Sequence, residues 1–433
     1  MKRFIAAALC MALMVSVLCA CADNENFTDD DNLTSKYTRS SEAEEYNYSD
    51  STVLAPADYA TFSNEIADFT FRIFRNYNTA FGADGSYVFS PACSALQLGL
   101  IANGASEDTE DEILRAMCKD LDTQSLNQCF LYFKSRLESV GEKSANGEKN
   151  YFADIDANLF VNDTADIKSK FVQTDTDYYG CDLFRFMFDD SNALTKINNQ
   201  FSDFGVQNAF SSIDKEQTMF SATAAGVCDL WLNAYAKNSL EKGKFGGENA
   251  TYMVSDETYM HTSNAKAVMK YMSKTPLKFM AIIPNEGVSL DDYIADFTNA
   301  EFSKLLASVD FSKRATAKIP EFFIKSDGKA KNITDVMKQS GLFSLFSDKA
   351  RFGGLTRSNG FMFDAMYEIM PDLSVSSGGI ETTSVTMNNL PLGEEKEYNS
   401  DVTVEFDRPF IFLILDNESN IPLYIGTVKT VNN

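Results

Sequence analysis

Residues 402–428 read VTVEFDRPFIFLILDNESNIPLYIGTV and hold the most informative apolar run of the chain. Within them, residues 410–415 are six consecutive apolar side chains with no polar alternation. This pattern is typical of a strand that is buried on both faces of a sheet. Further strand-like runs lie upstream, at residues 229–235, 268–272, 277–284 and 316–324. The second half of the chain therefore predicts large sheets.

Helical patterns lie mostly before residue 215. Apolar residues recur at helical spacing from Phe62 to Phe74, which predicts an amphipathic first helix. A short strand at 87–89 stops at Pro91, and the almost wholly apolar residues 93–105 predict a deeply buried helix. Residues 106–117 predict another helix, with Thr109 and Glu112 as a capping box. Helices followed by strands indicate an α+β fold. The sequence shows no internal repeat and no linker after residue 60, which predicts one domain over 59–433.

Composition excludes several classes of function. The chain has 433 residues, a formal charge of −24 and a single histidine, His261. No Lys or Arg cluster is present to neutralise phosphates, so we expect neither nucleic-acid binding nor electrostatic docking on anionic lipid. One histidine excludes a multi-histidine metal site, no C-x-x-C pair suggests zinc, and no cofactor is predicted. His261 lies in a polar stretch and no G-x-S-x-G elbow exists, so we expect no enzymatic activity.

The N-terminus predicts export. Lys2 and Arg3 precede an apolar stretch that ends at Ala20, which indicates a signal peptide over residues 1–20. The residues before Cys21 resemble a bacterial lipobox, so Cys21 is the predicted lipidation site, and we expect an extracellular protein attached to the membrane only through this lipid. An uncleaved membrane anchor is the alternative. Residues 21–58 are acidic and sparsely apolar, and they predict a disordered tether.

The cysteines do not predict disulfides. Removal of the signal peptide and lipidation of Cys21 leave five cysteines, an odd number with no short spacing. Buried free thiols are therefore expected at Cys93, Cys118, Cys129, Cys181 and Cys228.

Eight segments, in order between residues 60 and 430, resemble the serpin family of serine protease inhibitors. They are Phe89-Ser90-Pro91 with Thr109 to Leu114, Ala157-Asn158-Leu159-Phe160-Val161, Ile197-Asn198-Asn199, Leu232-Asn233-Ala234-Tyr235-Ala236-Lys237, Ile319-Pro320-Glu321-Phe322, Gly341 with Phe346, Phe406-Asp407-Arg408-Pro409-Phe410, and Pro422-Leu423-Tyr424-Ile425-Gly426.

The resemblance implies about eight or nine helices, three β-sheets and an exposed reactive-centre loop. It also implies a monomeric inhibitor of an extracellular serine protease, acting by loop cleavage, trapping of the acyl-enzyme and insertion of the loop into the central sheet. The alternative is a non-inhibitory surface binding protein of the same fold.

The segment that aligns with the family's loop hinge is suited to insertion. Small or β-branched neutral residues form strands and bury no charge, and no proline interrupts them. Ile380 departs from the small residue usual in the family, so we expect slower or altered insertion. The resemblance assigns the hinge to Gly378, Gly379, Ile380, Glu381, Thr382, Thr383, Ser384, Val385 and Thr386.

Two further assignments follow from the resemblance. The shutter, where the central sheet opens, maps to Ser90, Cys93 and Asn198, and the family's shutter histidine falls at Ile369. Apolar Leu390 and Leu392 suit elastase-like, chymotrypsin-like or subtilisin-like proteases, so the expected reactive bond is Leu392–Gly393. Spacing from the hinge leaves Gly393–Glu394 open, and Lys396 would suit a trypsin-like protease.

Overall fold

The structure is a computed structural model that describes residues 26–139, 151–309, 313–382, 392–398 and 400–431. Ten α-helices lie in these ranges, where eight or nine were expected: α1 (Ser41–Glu44), α2 (Tyr59–Phe81), α3 (Pro91–Gly104), α4 (Asp108–Met117), α5 (Thr123–Glu138), α6 (Ser169–Tyr178), α7 (Ala193–Asn199), α8 (Leu290–Asp296), α9 (Asn299–Ala307) and α10 (Thr334–Gln339).

The central sheet has eight strands. Its long middle strand, β4, pairs with β2 on one side and with β14 and β12 on the other. The strands are β2 (Phe152–Asn162), β3 (Asp182–Phe186), β4 (Met219–Leu230), β10 (Phe322–Ile324), β11 (Lys331–Asn332), β12 (Ala365–Ile369), β13 (Leu373–Val375) and β14 (Gly379–Thr382).

The second sheet has nine strands and replaces the two further sheets that the resemblance implied. One strand, β6, pairs with β5 and β9 in its first part and with β7 near its end, so the two halves are continuous in the described residues. The strands are β1 (Tyr87–Phe89), β5 (Leu240–Phe245), β6 (Glu248–His261), β7 (Ala265–Tyr271), β8 (Leu277–Pro284), β9 (Arg314–Pro320), β15 (Val402–Glu405), β16 (Phe410–Asp416) and β17 (Pro422–Val428).

Local sequence signals explain the most buried elements. Strand β16 lies between β8 and β17 and is buried along its whole length, as its unbroken apolar run predicts. Helix α3 begins with Pro91 in its first turn, and the Ser90 side chain caps it. Almost every residue of α3 is buried, which confirms the expected core helix.

The predicted capping box of α4 is wrong. The Thr109 hydroxyl accepts a hydrogen bond from the Arg351 backbone N–H at 2.9 Å. The Glu112 carboxylate accepts two, from the backbone N–H groups of Ser344 and Leu345, both at 2.8 Å. Backbone N–H groups of a distant segment thus take the place of the N–H groups at the start of α4 as donors. Both side chains therefore connect α4 to the segment that follows α10.

The acidic segment before α2 is not the solvated tether that its composition predicts. From Asn26 onward it lies against the edge of the central sheet. The Phe27 ring stacks on Phe184, with centroids 4.1 Å apart. Backbone hydrogen bonds join Leu33 N–H to Leu183 O and Arg185 N–H to Asp31 O, both at 2.9 Å. The segment is ordered because β3 is an edge strand whose free backbone groups pair with it. The predicted signal peptide and Cys21 lie outside the described residues.

The structure also locates the expected free thiols and His261. All five expected thiols are free and buried. His261 is exposed at the end of β6, where its ring stacks on Tyr259. In the described part, no helix is long and apolar enough to cross a membrane. Over the same ranges, no group of three or more His, Cys, Asp or Glu residues could hold a metal ion.

Candidate functional site

The first part of the predicted hinge, Gly379–Thr382, is strand β14 of the central sheet. Strand β14 lies between β13 and β4 and is antiparallel to both. Ile380 is opposite Val375 on one side and Asp229 on the other, and its side chain is 0 % exposed. The bulk that made Ile380 an unusual hinge residue is thus accommodated in the core. Glu381 is only half-buried, which gives the alternation of a strand.

Thr382, the last described residue of β14, makes a specific contact with β4. Its side chain is 2 % exposed, and its hydroxyl bonds both polar backbone groups of Val227. It accepts from the Val227 N–H at 3.0 Å and donates to the Val227 carbonyl at 3.2 Å. The hydroxyl therefore satisfies backbone groups of β4 that an additional strand would otherwise pair. The predicted hinge residues after Thr382, from Thr383 to Thr386, lie outside the described residues.

Below the hinge, the central sheet is closed by direct pairing of β12 with β4. These strands run parallel, with residues 365–369 opposite residues 220–224. A segment inserted beyond Thr382 has to enter between β4 and β12, so this seam must part during any further insertion. The seam is thus the place at which a further strand would have to enter the sheet.

On β12, the residue that contacts the predicted shutter residue Ser90 is Glu368 and not Ile369. Residues 370–372 interrupt the strand between β12 and β13, which shifts the alternation of faces by one residue. Ile369 consequently packs in the apolar cluster beside α7, whereas the Glu368 carboxylate accepts a hydrogen bond from the Ser90 N–H at 2.6 Å. The sequence signal was present, because Glu368 is the only charged residue of its strand. The family's usual spacing from the hinge points to Ile369 instead, because that spacing assumes an uninterrupted strand.

The structure brings two of the three predicted shutter residues together. The Ser90 hydroxyl donates to the Leu423 carbonyl at 2.8 Å, and the Cys93 thiol donates to the Ala224 carbonyl at 3.3 Å. Cys93 therefore connects α3 to β4 at the seam, and burial raises the pKa of its thiol. Asn198 lies elsewhere, at the end of α7, where its amide exchanges two hydrogen bonds with the Phe210 backbone.

The described end of the predicted loop, residues 392–398, is attached to the body of the protein. The Gly393 N–H donates to the Tyr235 carbonyl at 2.7 Å, and the Gly393 carbonyl accepts from the Lys237 N–H at 3.2 Å. The backbone of Lys396 is held at both its N–H and its carbonyl by the side chain of Asn238. Leu392 is half-buried, and Leu390 lies outside the described residues. The Leu232–Lys237 segment is therefore a docking loop beyond β4, and the predicted strand over 229–235 ends at Leu230.

A buried ion pair supports this docking loop, and no sequence motif predicts it. Lys270 on β7 contacts Glu257 on β6 at 2.6 Å, and its ammonium lies 4.4 Å from the centre of the Tyr235 ring. The indole N–H of Trp231 donates to the Ser376 carbonyl at 2.8 Å, just before the hinge. The only tryptophan of the chain thus contacts the segment that leads into the loop.

Comparison with known proteins agrees with this arrangement. The family model described as serpin (serine protease inhibitor) matches residues 64–431. The chain belongs to the serpin family. A mouse (Mus musculus) serpin, alpha-1-antitrypsin 1-4, is 21 % identical over 391 residues, which cover 86 % of this chain and 90 % of the relative. An uncharacterized serpin-like protein of Methanosarcina mazei is 22 % identical over 361 residues, 79 % of this chain and 80 % of the relative.

Solved serpin structures share the fold. The thermophilic serpin tengpin in its native state has a TM-score of 0.73 and 25 % identity, over 92 % of this chain and 99 % of tengpin. Human thyroxine-binding globulin complexed with thyroxine has a TM-score of 0.71 and 19 % identity, over 87 % of this chain and all of that chain. The α+β serpin fold is thereby confirmed, and the family supports a function of the protease-inhibitor type.

Proposed function

We propose that this serpin inhibits an extracellular serine protease by loop cleavage, acyl-enzyme trapping and loop insertion. The observation that carries the proposal is the position of β14, because the start of the loop already pairs with β4 and β13 in the register of an inserted strand. The same register supplies a defined path for the residues that follow.

Extension of the observed register supports insertion of the remaining hinge. Each step along the loop moves one residue back along β4, so Ser384 would lie opposite Ala225 and Thr386 opposite Thr223. These side chains would share the face on which Ile380 and Thr382 are buried. All are small or β-branched and neutral, so their burial carries no charge penalty.

The chemistry is supplied by the protease. Its serine oxygen attacks the carbonyl carbon of the reactive bond, the bond to the following nitrogen breaks, and that nitrogen leaves as an amine with a proton from the protease histidine. The N-terminal part of the loop is then joined to the protease as an ester. Insertion of this part as a strand would carry the protease away from the loop and distort it before water can hydrolyse the ester.

We place the reactive bond at Leu392–Gly393. Proteases bind their substrates as extended strands, so a bond whose flanking backbone is already paired is a poorer substrate. Cleavage after Gly393 or Lys396 would require release of the Gly393 carbonyl or of both backbone groups of Lys396 from the body. Leu392 suits the apolar primary pocket of an elastase-like, chymotrypsin-like or subtilisin-like protease. Cleavage still requires release of the Gly393 N–H from Tyr235.

The experiment is incubation of the purified domain with one protease of each class, followed by boiling in detergent. We expect a covalent complex with at least one protease that prefers apolar residues, and mass spectrometry of the released peptide should begin at Gly393. Cleavage by every protease without any complex would refute the inhibitory mechanism. Complexes with a peptide that begins elsewhere would refute the reactive bond alone.

A non-inhibitory binding function is the second candidate. It is favoured by the direct pairing of β12 with β4, because this closed seam opposes insertion of the residues after Thr382. Thyroxine-binding globulin shows that a protein of this fold can bind a small molecule. Under this alternative, loop cleavage should leave the thermal stability nearly unchanged.

We also propose that the protein is exported and that lipid is attached at Cys21. Because the chain from Asn26 onward is packed against the central sheet, a lipid at Cys21 would limit how far the sheet can lie from the membrane. Asn26 already contacts Asn199 at the end of α7, and the five residue steps from Cys21 to Asn26 span at most about 18 Å. The edge of the central sheet would thus lie close to the membrane. A Cys21→Ser variant should lose fatty-acid labelling and appear in the medium. Retention in the membrane would favour the uncleaved anchor.

A further inference from the structure

The carboxylate of Glu368 is the only charged side chain on the part of β12 that closes the seam. It is 1 % exposed. Its Oε1 accepts from the Ser90 N–H at 2.6 Å, whereas its Oε2 has no hydrogen-bond partner among the described residues. A buried polar atom without a partner is uncommon and costly, so this oxygen calls for an explanation.

The surroundings of Glu368 favour the neutral acid. Tyr77 on α2 and Tyr424 on β17 face it, and in the part of the chain that the structure describes neither buried hydroxyl makes a hydrogen bond of good geometry. Cys93 on α3 faces it as a neutral thiol, and Lys331 on β11 is the nearby cation. A protonated Oε2 could donate to either hydroxyl. An ionised Oε2 could accept from the Tyr77 hydroxyl, but the carboxylate would remain a charge removed from water. Burial accordingly raises the pKa of Glu368 to about 7, against the opposing effects of Ser90, Lys331 and the Tyr77 hydroxyl.

Glu368 also joins the two parts that separate when the sheet opens. Its strand has to move away from β4 during insertion, while Ser90 caps α3, which is fixed in the core. Parting of the seam admits water to the carboxyl group. Water solvates an ionised carboxylate far better than the closed sheet does, so ionisation favours the open arrangement.

We propose that Glu368 is a positioning residue that holds the seam closed when protonated and eases loop insertion when ionised. This inference rests on the proposed inhibitory function in so far as insertion traps the protease. The opening of the seam itself can be measured without any protease.

The direction of the pH dependence follows from the difference between the pKa of Glu368 in the closed protein and its ordinary value. The pKa of Glu368 in the closed protein, about 7, lies above the ordinary value of 4.5. Its protonation therefore stabilises the closed form fully below about pH 4.5, and this stabilisation is lost as the pH rises through 7. One pH unit above the pKa, ionised molecules outnumber protonated ones by about ten to one. The population of the opened seam should hence rise about tenfold between pH 6 and pH 8.

The test compares wild type with Glu368→Gln, whose amide imitates the protonated acid: Oε1 can accept from Ser90 and the amide nitrogen can donate. Hydrogen exchange of residues 220–224 and 365–369, corrected for intrinsic rates, should show about tenfold more frequent opening at pH 8 than at pH 6 in wild type. Glu368→Gln should show the same rate at both pH values. A matched control is Glu65→Gln, since Glu65 is a buried carboxylate far from the seam.

The outcomes separate this inference from the inhibitory function. A wild-type protein whose seam opens equally often at pH 6 and pH 8, or a Glu368→Gln variant that keeps the wild-type pH dependence, would overturn the role of Glu368. Failure to form protease complexes at any pH, together with the expected exchange profile, would refute the inhibitory function and leave the role of Glu368 standing. If the inhibitory function and the role of Glu368 both hold, the yield of complex with a given protease should depend more strongly on pH in wild type than in Glu368→Gln.

Discussion

Replacement of Thr382 by arginine tests whether the start of the loop must be buried for the protein to function. Thr382 is 2 % exposed and bonds both backbone groups of Val227. Arginine at this position would have to leave the sheet or bury a guanidinium group without a partner, at a cost of about 3–5 kcal/mol. If this cost adds to the barrier for insertion, insertion slows by about 10²–10⁴-fold. Hydrolysis of the acyl-enzyme would then be faster than insertion.

The assay is the fraction of cleaved molecules that end in a detergent-stable complex with the most susceptible protease of the panel. We expect Thr382→Arg to be cleaved at the wild-type rate and to form almost no complex. The matched control is Thr382→Ser, which keeps the hydroxyl and loses only a methyl group, worth about 0.8 kcal/mol. The reasoning is refuted if Thr382→Arg traps the protease as well as Thr382→Ser does.

Three further predictions concern the docking loop, the core and the thiols. Asn238→Ala should increase cleavage after Lys396 by a trypsin-like protease, because it frees both backbone groups of Lys396; an unchanged cleavage map in mass spectrometry would contradict this. Gly426→Ala should lower the free energy of unfolding in urea by about 1–3 kcal/mol or more, because a Cβ there would lie 2.3 Å from the Tyr87 carbonyl; an unchanged midpoint would show that the strands can move apart. The thiols should resist alkylation until the protein unfolds, since they are buried and burial raises the pKa of Cys129, for example, to about 12; rapid labelling of the native domain would contradict this.

The sequence predicted best those elements whose apolar pattern needs no tertiary information. The unbroken run of β16 and the apolar length of α3 indicate elements that only a core can accommodate, and both lie there. Thr109 and Glu112 have the spacing of a capping box, yet their partners lie more than two hundred residues away. Local spacing cannot reveal such a partner, since it exists only after the chain has folded.

The candidate site shows the same division. The composition of the hinge predicted a segment fit for burial, and the structure places its first residues in the sheet. The identity of the shutter carboxylate was not predictable by counting, because an interruption at residues 370–372 changes which face each residue occupies. The average composition of the acidic N-terminal segment predicted a disordered tether. An average does not show the two apolar residues Phe27 and Leu33, which dock on the free edge of β3.

The thermal stability of the cleaved protein tests the central claim most directly. The domain is cut within the loop by a protease that it does not trap, and its unfolding temperature is compared with that of the intact domain, with Trp231 fluorescence as the probe. Insertion of the cleaved loop adds a paired strand to the middle of the sheet, so the account predicts a rise of at least about 10 °C. An unfolding temperature that is unchanged by cleavage would contradict loop insertion, and with it the proposed inhibitory mechanism.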